Sequence, residues 1–433
     1  MEQKTILIWF RNDLRIHDNV IIHEAVRKNA RVIPVYCFNP YFFSKTSIGT
    51  LKTGSFRTKF IFESVLTFKE KLKEIGSDLI VLFGNPEVEI IKIALHYEVN
   101  DIYVHQEVAF EENNEMQLVE KALWKHRIPL TAFIGHTLYH KQDLPFPIKD
   151  IPNVFTAFRK KIEKETSVRQ EYPTPEKLSS PTIENRFDLP TFEQLGIIEP
   201  PSIPSNGLNL KGGEAAALAR LKYYLWDGDH LKNYKSTRNG MIGSEYSTKL
   251  SPYLALGCIS PRRIYFEVKK YETTRVSNDS TYWLIFELLW RDYFRFMFKK
   301  HGNRYFKVGG FKDKVFSFGE DQEVQFASWQ QGTTGATFID ACMKELNATG
   351  FLSNRGRQNA ASYLINDLKV NWTWGAMYFE EKLIDYSPSS NWGNWAYIAG
   401  VGNDPRENRY FNPLKQAKEY DPEAIYTQYW NNL

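Results

Sequence analysis

The chain has 433 residues, 42% hydrophobic and 24% charged, and its formal net charge of +4 is the small difference between 55 Lys+Arg and 51 Asp+Glu. These values exclude a disordered or fibrous protein, fit a soluble globular one, and make two domains the natural expectation at this length. A charge this close to balance neither requires nor excludes nucleic acid, and Cys37, Cys258 and Cys342, with no CxxC spacing, support neither a disulfide framework nor a zinc site.

The first third alternates β-rich apolar runs with amphipathic segments. Thr5 to Phe10, Val32 to Phe38, Leu79 to Phe83, Ile102 to His105 and Leu130 to Phe133 read as strands, separated by helical patterns such as Phe56 to Ile75 and Glu87 to Tyr97. That order predicts a Rossmann-like parallel α/β domain over residues 1–134. The turn after the first strand, Arg11-Asn-Asp-Leu-Arg-Ile-His-Asp18, contains no glycine. A GxGxxG dinucleotide cradle is therefore absent, and the main nucleotide site is expected elsewhere. The chain starts directly on a strand without a targeting pattern and has no bilayer-length apolar run, so the expected compartment is the cytoplasm.

Between residues 135 and 210 the periodicity breaks. Ten prolines from Pro145 to Pro204 predict a connector draped over the surface. From Gly212-Gly-Glu214 onward Ala215 to Leu225, Pro261 to Tyr271, Thr281 to Lys299, Thr337 to Asn347 and Arg357 to Lys369 carry apolar stripes of helical period, predicting an all-helical domain over 211–433. Nine of the 11 tryptophans lie in this half, interleaved with Arg, Asn and Asp, which points to a planar, polar ligand.

Four constellations in the helical half bear chemistry. Ser251 and Ser260 each precede a proline, the pattern of an N-cap serine with proline at the first helical position. With Ser247, Thr248, Lys249 and Leu250 this makes either two ordinary capped helices or an anion site suited to a diphosphate, over which Tyr234 and Arg238 could close. Glu287, Trp290 and Arg291 share one helix face, either as an internal Glu287–Arg291 ion pair beside a core tryptophan or as a carboxylate and aromatic platform for a base-like ligand. Asn354-Arg-Gly-Arg-Gln358 opens a helix with two guanidinium groups and two amides, more hydrogen-bonding capacity than packing satisfies unless the helix start is simply solvated. Asp385 and Asn391 bracket the loop Tyr386-Ser-Pro-Ser-Ser390 and bring a carboxylate able to pair with Arg357 and an amide able to face a ring edge. Trp372 and Trp395, taken singly, read as core aromatics.

The order of these pieces, with Trp9-Phe-Arg-Asn-Asp-Leu-Arg15, Thr237-Arg-Asn-Gly240, Tyr246-Ser-Thr-Lys249, Leu254-Ala-Leu-Gly-Cys258, Ser353-Asn-Arg-Gly-Arg-Gln-Asn359, Ser390-Asn-Trp-Gly-Asn-Trp395 and Phe411-Asn-Pro413, resembles the photolyase and cryptochrome flavoprotein family over essentially the whole chain, and within it the DASH subfamily. The resemblance implies FAD, with Tyr234 and Ser247 to Ser251 holding its diphosphate and ribose, Asn354, Arg357 and Asp385 around the flavin, Asn391 at its N5 edge, and Glu287, Arg291 and Ser387 completing the wall. It implies a relay through Trp395, Trp372 and an outer residue. It also implies that Glu287, Trp290, Gln358 and Tyr397 line a cavity for a flipped pyrimidine dimer, while Arg238 and Arg355 touch flanking phosphates.

The implied activity is light-driven repair of cyclobutane pyrimidine dimers in single-stranded DNA by a monomer, with a blue-light sensor or nucleic-acid-binding regulator as the rival. The polar Gln358 and Tyr397 fit the single-strand preference, because a weaker grip supplies less of the few kcal/mol (roughly) that unstacking a duplex base costs. A 5,10-methenyltetrahydrofolate antenna is implied between the domains, with an acidic ligand in Glu107-Val-Ala-Phe-Glu-Glu112; a helix start with N-terminal acids is the alternative. Two positions depart from the pattern. No tryptophan lies between Trp290 and Trp329, which leaves the outer relay open, and Ser387 stands where the subfamily has a second aspartate.

Overall fold

The computed structural model describes residues 3–184, 189–406 and 409–433. Five parallel strands, β1 (Thr5–Phe10), β2 (Arg31–Phe38), β3 (Ile80–Phe83), β4 (Asp101–His105) and β5 (Leu130–Phe133), form one sheet in the order β3-β2-β1-β4-β5. Trp9 sits opposite Val35 on one side and Val104 on the other. Both faces of the sheet are buried, as its near-continuous apolar strands require. Leu7, Trp9, Ile33, Val35 and Ile102 pack under the helices Pro86–His96 and Glu112-bearing Phe110–Trp124. Ile6, Ile8 and Phe10, on the opposite pleat, belong to the core shared with the helical half.

The segment expected to drape over the surface is corrected by the structure. Phe155–Glu165 is a helix whose Phe155, Phe158 and Ile162 are buried at helical spacing, and Leu138, Tyr139 and Ile151 are buried beside it. Its prolines set the turns, and its apolar residues join the core.

The helical half is organised around Asp279–His301, a 23-residue helix started by a capping box: Asn278 accepts from the Ser280 and Thr281 amides while the Thr281 hydroxyl accepts from the Asn278 amide. Buried polar contacts tie the two halves together. Glu214 accepts from the Ile16 and His17 amides (2.9 and 3.0 Å), Asp292 accepts from the Leu138 and Tyr139 amides (3.0 and 2.8 Å), and Arg295 pairs with Glu107 at 2.6 Å. The Leu254-Ala-Leu-Gly-Cys258 motif is explained by the same junction. Gly257 has φ +67° and an added Cβ would meet the Asn12 carbonyl at 1.9 Å, so no other residue fits. No described helix is long and apolar enough to cross a membrane.

Candidate functional site

A cavity of about 280 Å³ opens in the helical half. Tyr234, Arg238, Ser247, Thr248, Lys249, Leu250, Ser251, Glu287, Arg291, Asn354, Arg357, Asp385 and Ser387 all line it, together with Tyr246 and Ser390, present in the motifs but given no role there, and Phe351 and Leu352, which the sequence did not point to. A smaller cavity of about 90 Å³ shares Asn354, Arg357, Asp385 and Ser390 and adds Gln358, Asn391 and Trp395. Helix starts set the frame. Ser353 caps Asn354–Asn366 by accepting from the Gly356 amide, and Pro388 opens Pro388–Ile398, which presents Asn391 and Trp395 on consecutive turns.

Ser260 caps its helix as expected, through the Arg262 and Arg263 amides. Ser251 does not. It is the first residue of its five-residue helix, with Leu250 at the cap position, and its hydroxyl donates instead to Asp385 Oδ2 at 2.6 Å, a carboxylate brought over from 134 residues away. Arg357 reaches the same Oδ2 at 2.8 Å and donates through Nε to the Leu352 carbonyl. The expected Arg357–Asp385 pair is thus present, with Asp385 3% exposed and Arg357 25%.

The wall is chemically unfinished by protein groups alone. Lys249, in the left-handed region at φ +56°, is buried with its ammonium over the Tyr246 ring and 4.9 Å from that of Phe351, and has no hydrogen-bond partner; Asp385 Oδ1 is likewise buried without one. Burial holds the Lys249 ammonium well below its ordinary pKa. A buried amine without a hydrogen-bond partner, beside hydroxyls and amides, is a place where an anion would restore the ammonium, and a free carboxylate oxygen calls for a donor.

At the cavity mouth the Glu287–Arg291 ion pair weighed from sequence does not form. Arg291 turns away to the carbonyls of His136 and Leu254, while Glu287 Oε1 accepts from Arg238 Nη1 at 2.8 Å and from Trp283 Nε1 at 3.2 Å. Glu287 is a third exposed, yet the surrounding apolar wall pushes its carboxyl above the usual range. Trp290 lies outside both cavities. Phe155 stacks on one of its faces with centroids 3.7 Å apart, and Tyr397 stands edge-on to it at 5.9 Å. The Tyr397 hydroxyl accepts from Arg409 at 2.8 Å. Arg355 donates to the Asn239 side chain at 3.2 Å and covers the Tyr420 ring.

Trp395 and Trp372 each pack closely on other rings. Trp395 meets Phe379 at 5.1 Å and Trp329 at 6.1 Å, and from Trp329 the rings continue to Phe326 and then to half-buried Trp374. Trp372 packs on Trp392 at 5.9 Å. Gly375 lets Trp395 approach: a Cβ there would sit 2.2 Å from the indole. Asn391 donates its amide N–H to the Ala376 carbonyl at 2.9 Å, which leaves its oxygen as the free acceptor.

A third cavity, about 150 Å³, lies between the halves beyond the carboxyl ends of β1 and β2, near where the strand order reverses. Glu107, Glu112 and Glu115 line it with Arg11, Lys52 and Arg295. The Glu107 carboxylate is engaged by Arg295 and by Asn12 at 3.2 Å, with the buried His136 ring 3.3 Å away. Burial, with Glu107 beside it, pushes Glu112 up to about 8.

The comparisons with known proteins agree with this geometry. A family model described as DNA photolyase matches residues 6–177, and one described as the FAD binding domain of DNA photolyase matches residues 283–432. Fold and site define a protein of the photolyase class, an α/β unit followed by a helical FAD-binding unit. A cryptochrome DASH of Gloeobacter violaceus is 48% identical over 99% of this chain and 86% of its own, and one of Arabidopsis thaliana, named chloroplastic/mitochondrial, is 45% identical over 98% and 75%. The crystal structure of a Synechocystis cryptochrome superposes with a TM-score of 0.95 at 48% identity, covering 99% of this chain and 89% of that one. The chain belongs to the photolyase and cryptochrome family, in its cryptochrome DASH branch. The loop Ser247 to Ser251 falls outside both matched segments, and only the fold brings it to the cavity.

Proposed function

We propose that the protein is a blue-light-dependent flavoprotein that repairs cyclobutane pyrimidine dimers in single-stranded DNA. The observation that carries this reading is the cavity whose unpartnered Lys249 and half-satisfied Asp385 suit FAD and whose mouth holds Glu287. Lys249 with the Ser247 to Ser251 hydroxyls and amides would take the diphosphate, and Arg357, Asp385 and Asn391 the flavin edge. When bound and reduced, FAD supplies a photoexcitable one-electron donor. The chain's own groups do the rest. Glu287 accepts from pyrimidine N3–H, Gln358 and Tyr397 offer polar partners, and Trp290, half-buried among aromatic rings, would offer its accessible part to the dimer. Trp395, which lines the smaller cavity, would pass an electron inward from Trp372 or Trp329.

A 5,10-methenyltetrahydrofolate antenna is part of the proposal. With Glu107 engaged by Arg295, protonated Glu112 is the group able to donate to such a ring. One observation favours a sensor or regulator instead: Phe155 occupies a face of Trp290 that a base would otherwise stack on. The deciding experiment is illumination of thymine-dimer oligonucleotides in single-stranded, duplex and bubble form. Repair of the single strand and the bubble with little on duplex is expected; no repair of any of them removes the enzymatic reading.

A further inference from the structure

Arg238 and Glu287, assigned from sequence to different parts of a nucleic acid, are bonded to each other. Arg238 follows the short helix Tyr234–Thr237, Glu287 lies on Asp279–His301, and their 2.8 Å ion pair is part of the cavity lining. Trp283 fixes the pair from both sides, donating to the same carboxylate oxygen and lying 5.2 Å under the guanidinium. Other cations lie nearby. Lys235 sits 4.8 Å above the same indole with Asp279 as its partner, and Arg355 is linked to the Arg238 loop through Asn239. Arg238 and Glu287 are 23% and 33% exposed, so the pair is wet enough to exchange at small cost. A guanidinium holds a phosphate as readily as a carboxylate.

We propose that Arg238 is a positioning residue shared between two anions: in the free protein it masks Glu287, and on binding single-stranded DNA it moves to a backbone phosphate and frees that carboxylate for the base. This rests on the nucleic-acid reading above. Its consequence is a gain in selectivity. Breaking the pair draws on backbone affinity for any strand, and only a base seated in the cavity restores a partner to Glu287.

The test is a double-mutant cycle on the flavin-loaded protein, with undamaged oligothymidylate as probe and fluorescence anisotropy read across a salt series. Arg238→Gln is expected to weaken binding and lower the salt slope by about one. Glu287→Gln is expected to tighten binding about two- to fivefold by releasing Arg238, and to change nothing in the Arg238→Gln background. Trp283→Phe, which keeps both charges, retains the coupling and controls for local packing; flavin retention and melting temperature report the fold of each variant. A Glu287→Gln gain that persists without Arg238 is a general field effect and overturns the proposal, as does no gain at all. Failure of the wild-type protein to bind the oligonucleotide would instead refute the nucleic-acid partner itself.

Discussion

Removing the Asp385 carboxylate should release the cofactor with only a small loss of fold stability. In Asp385→Ala two charge-assisted bonds disappear, from Arg357 at 2.8 Å and Ser251 at 2.6 Å. Each is worth about 1.5–3 kcal/mol where a charged partner is left buried. Ser251 lines the cavity and can turn to the cofactor, whereas Arg357 keeps Leu352 and is a quarter exposed, so water recovers part of its loss. The net stability cost is therefore about 2 kcal/mol, which for a chain of this size lowers the melting temperature by only about 2 °C. Flavin retention suffers more directly, because Asp385 lines both cofactor cavities and Arg357 loses its orientation. A further 2 kcal/mol or so corresponds to roughly 30-fold weaker FAD binding. Titration of the apoprotein with FAD, followed by flavin fluorescence, and a thermal melt measure the two quantities separately. Asp385→Asn, which preserves an acceptor for both donors, should fall between. An Asp385→Ala protein that melts lower but holds FAD within twofold of wild type would show Asp385 to be a structural residue alone.

Trp395→Phe should retain FAD and slow photoreduction sharply, and Trp329→Phe should slow it severalfold; an unchanged rate in the latter would reduce the Trp395–Trp329 contact to packing. Phe155→Ala removes the ring stacked on Trp290 from a buried position and should cost about 3–5 kcal/mol in denaturant unfolding, a loss under 1 kcal/mol being incompatible with its place in the core. Glu112 has an ordinary carboxyl pKa of 4.5 when unfolded and about 8 when folded, so the native state binds more protons between those values and stability falls as pH rises through them. Glu112→Gln, permanently neutral, should match wild type at pH 4.5–5 and melt progressively higher than it toward pH 8.5; a pH-independent difference would refute the raised carboxyl.

The local signals in this chain were strong enough to read without coordinates. Short, near-continuous β-rich apolar runs marked all five strands, helical stripes marked several long helices, and the motifs from Tyr246 to Trp395 carried cavity-lining residues and the Arg357–Asp385 pair, since each depends on short-range pattern or on chemistry that has few alternative partners. Phe155, Phe158 and Ile162 carried an equally legible helical stripe, hidden by the prolines around it.

Other features lay beyond any local pattern. Ser251 has the sequence of an N-cap, but the helix takes it in as its first residue, and its hydroxyl donates to Asp385, which is in reach only once the helices have packed. Glu287 and Arg291 have the spacing of an ion pair, yet Arg238, 49 residues upstream, takes the carboxylate and backbone carbonyls take Arg291. A ring's neighbours are likewise set by which helices cross, so Trp395 meets Trp329 and Trp372 meets Trp392. Sequence alone determined which groups are present and which element carries each; the tertiary structure decided their partners, because charges, hydroxyls and rings choose among whatever the packed core brings within a few ångströms.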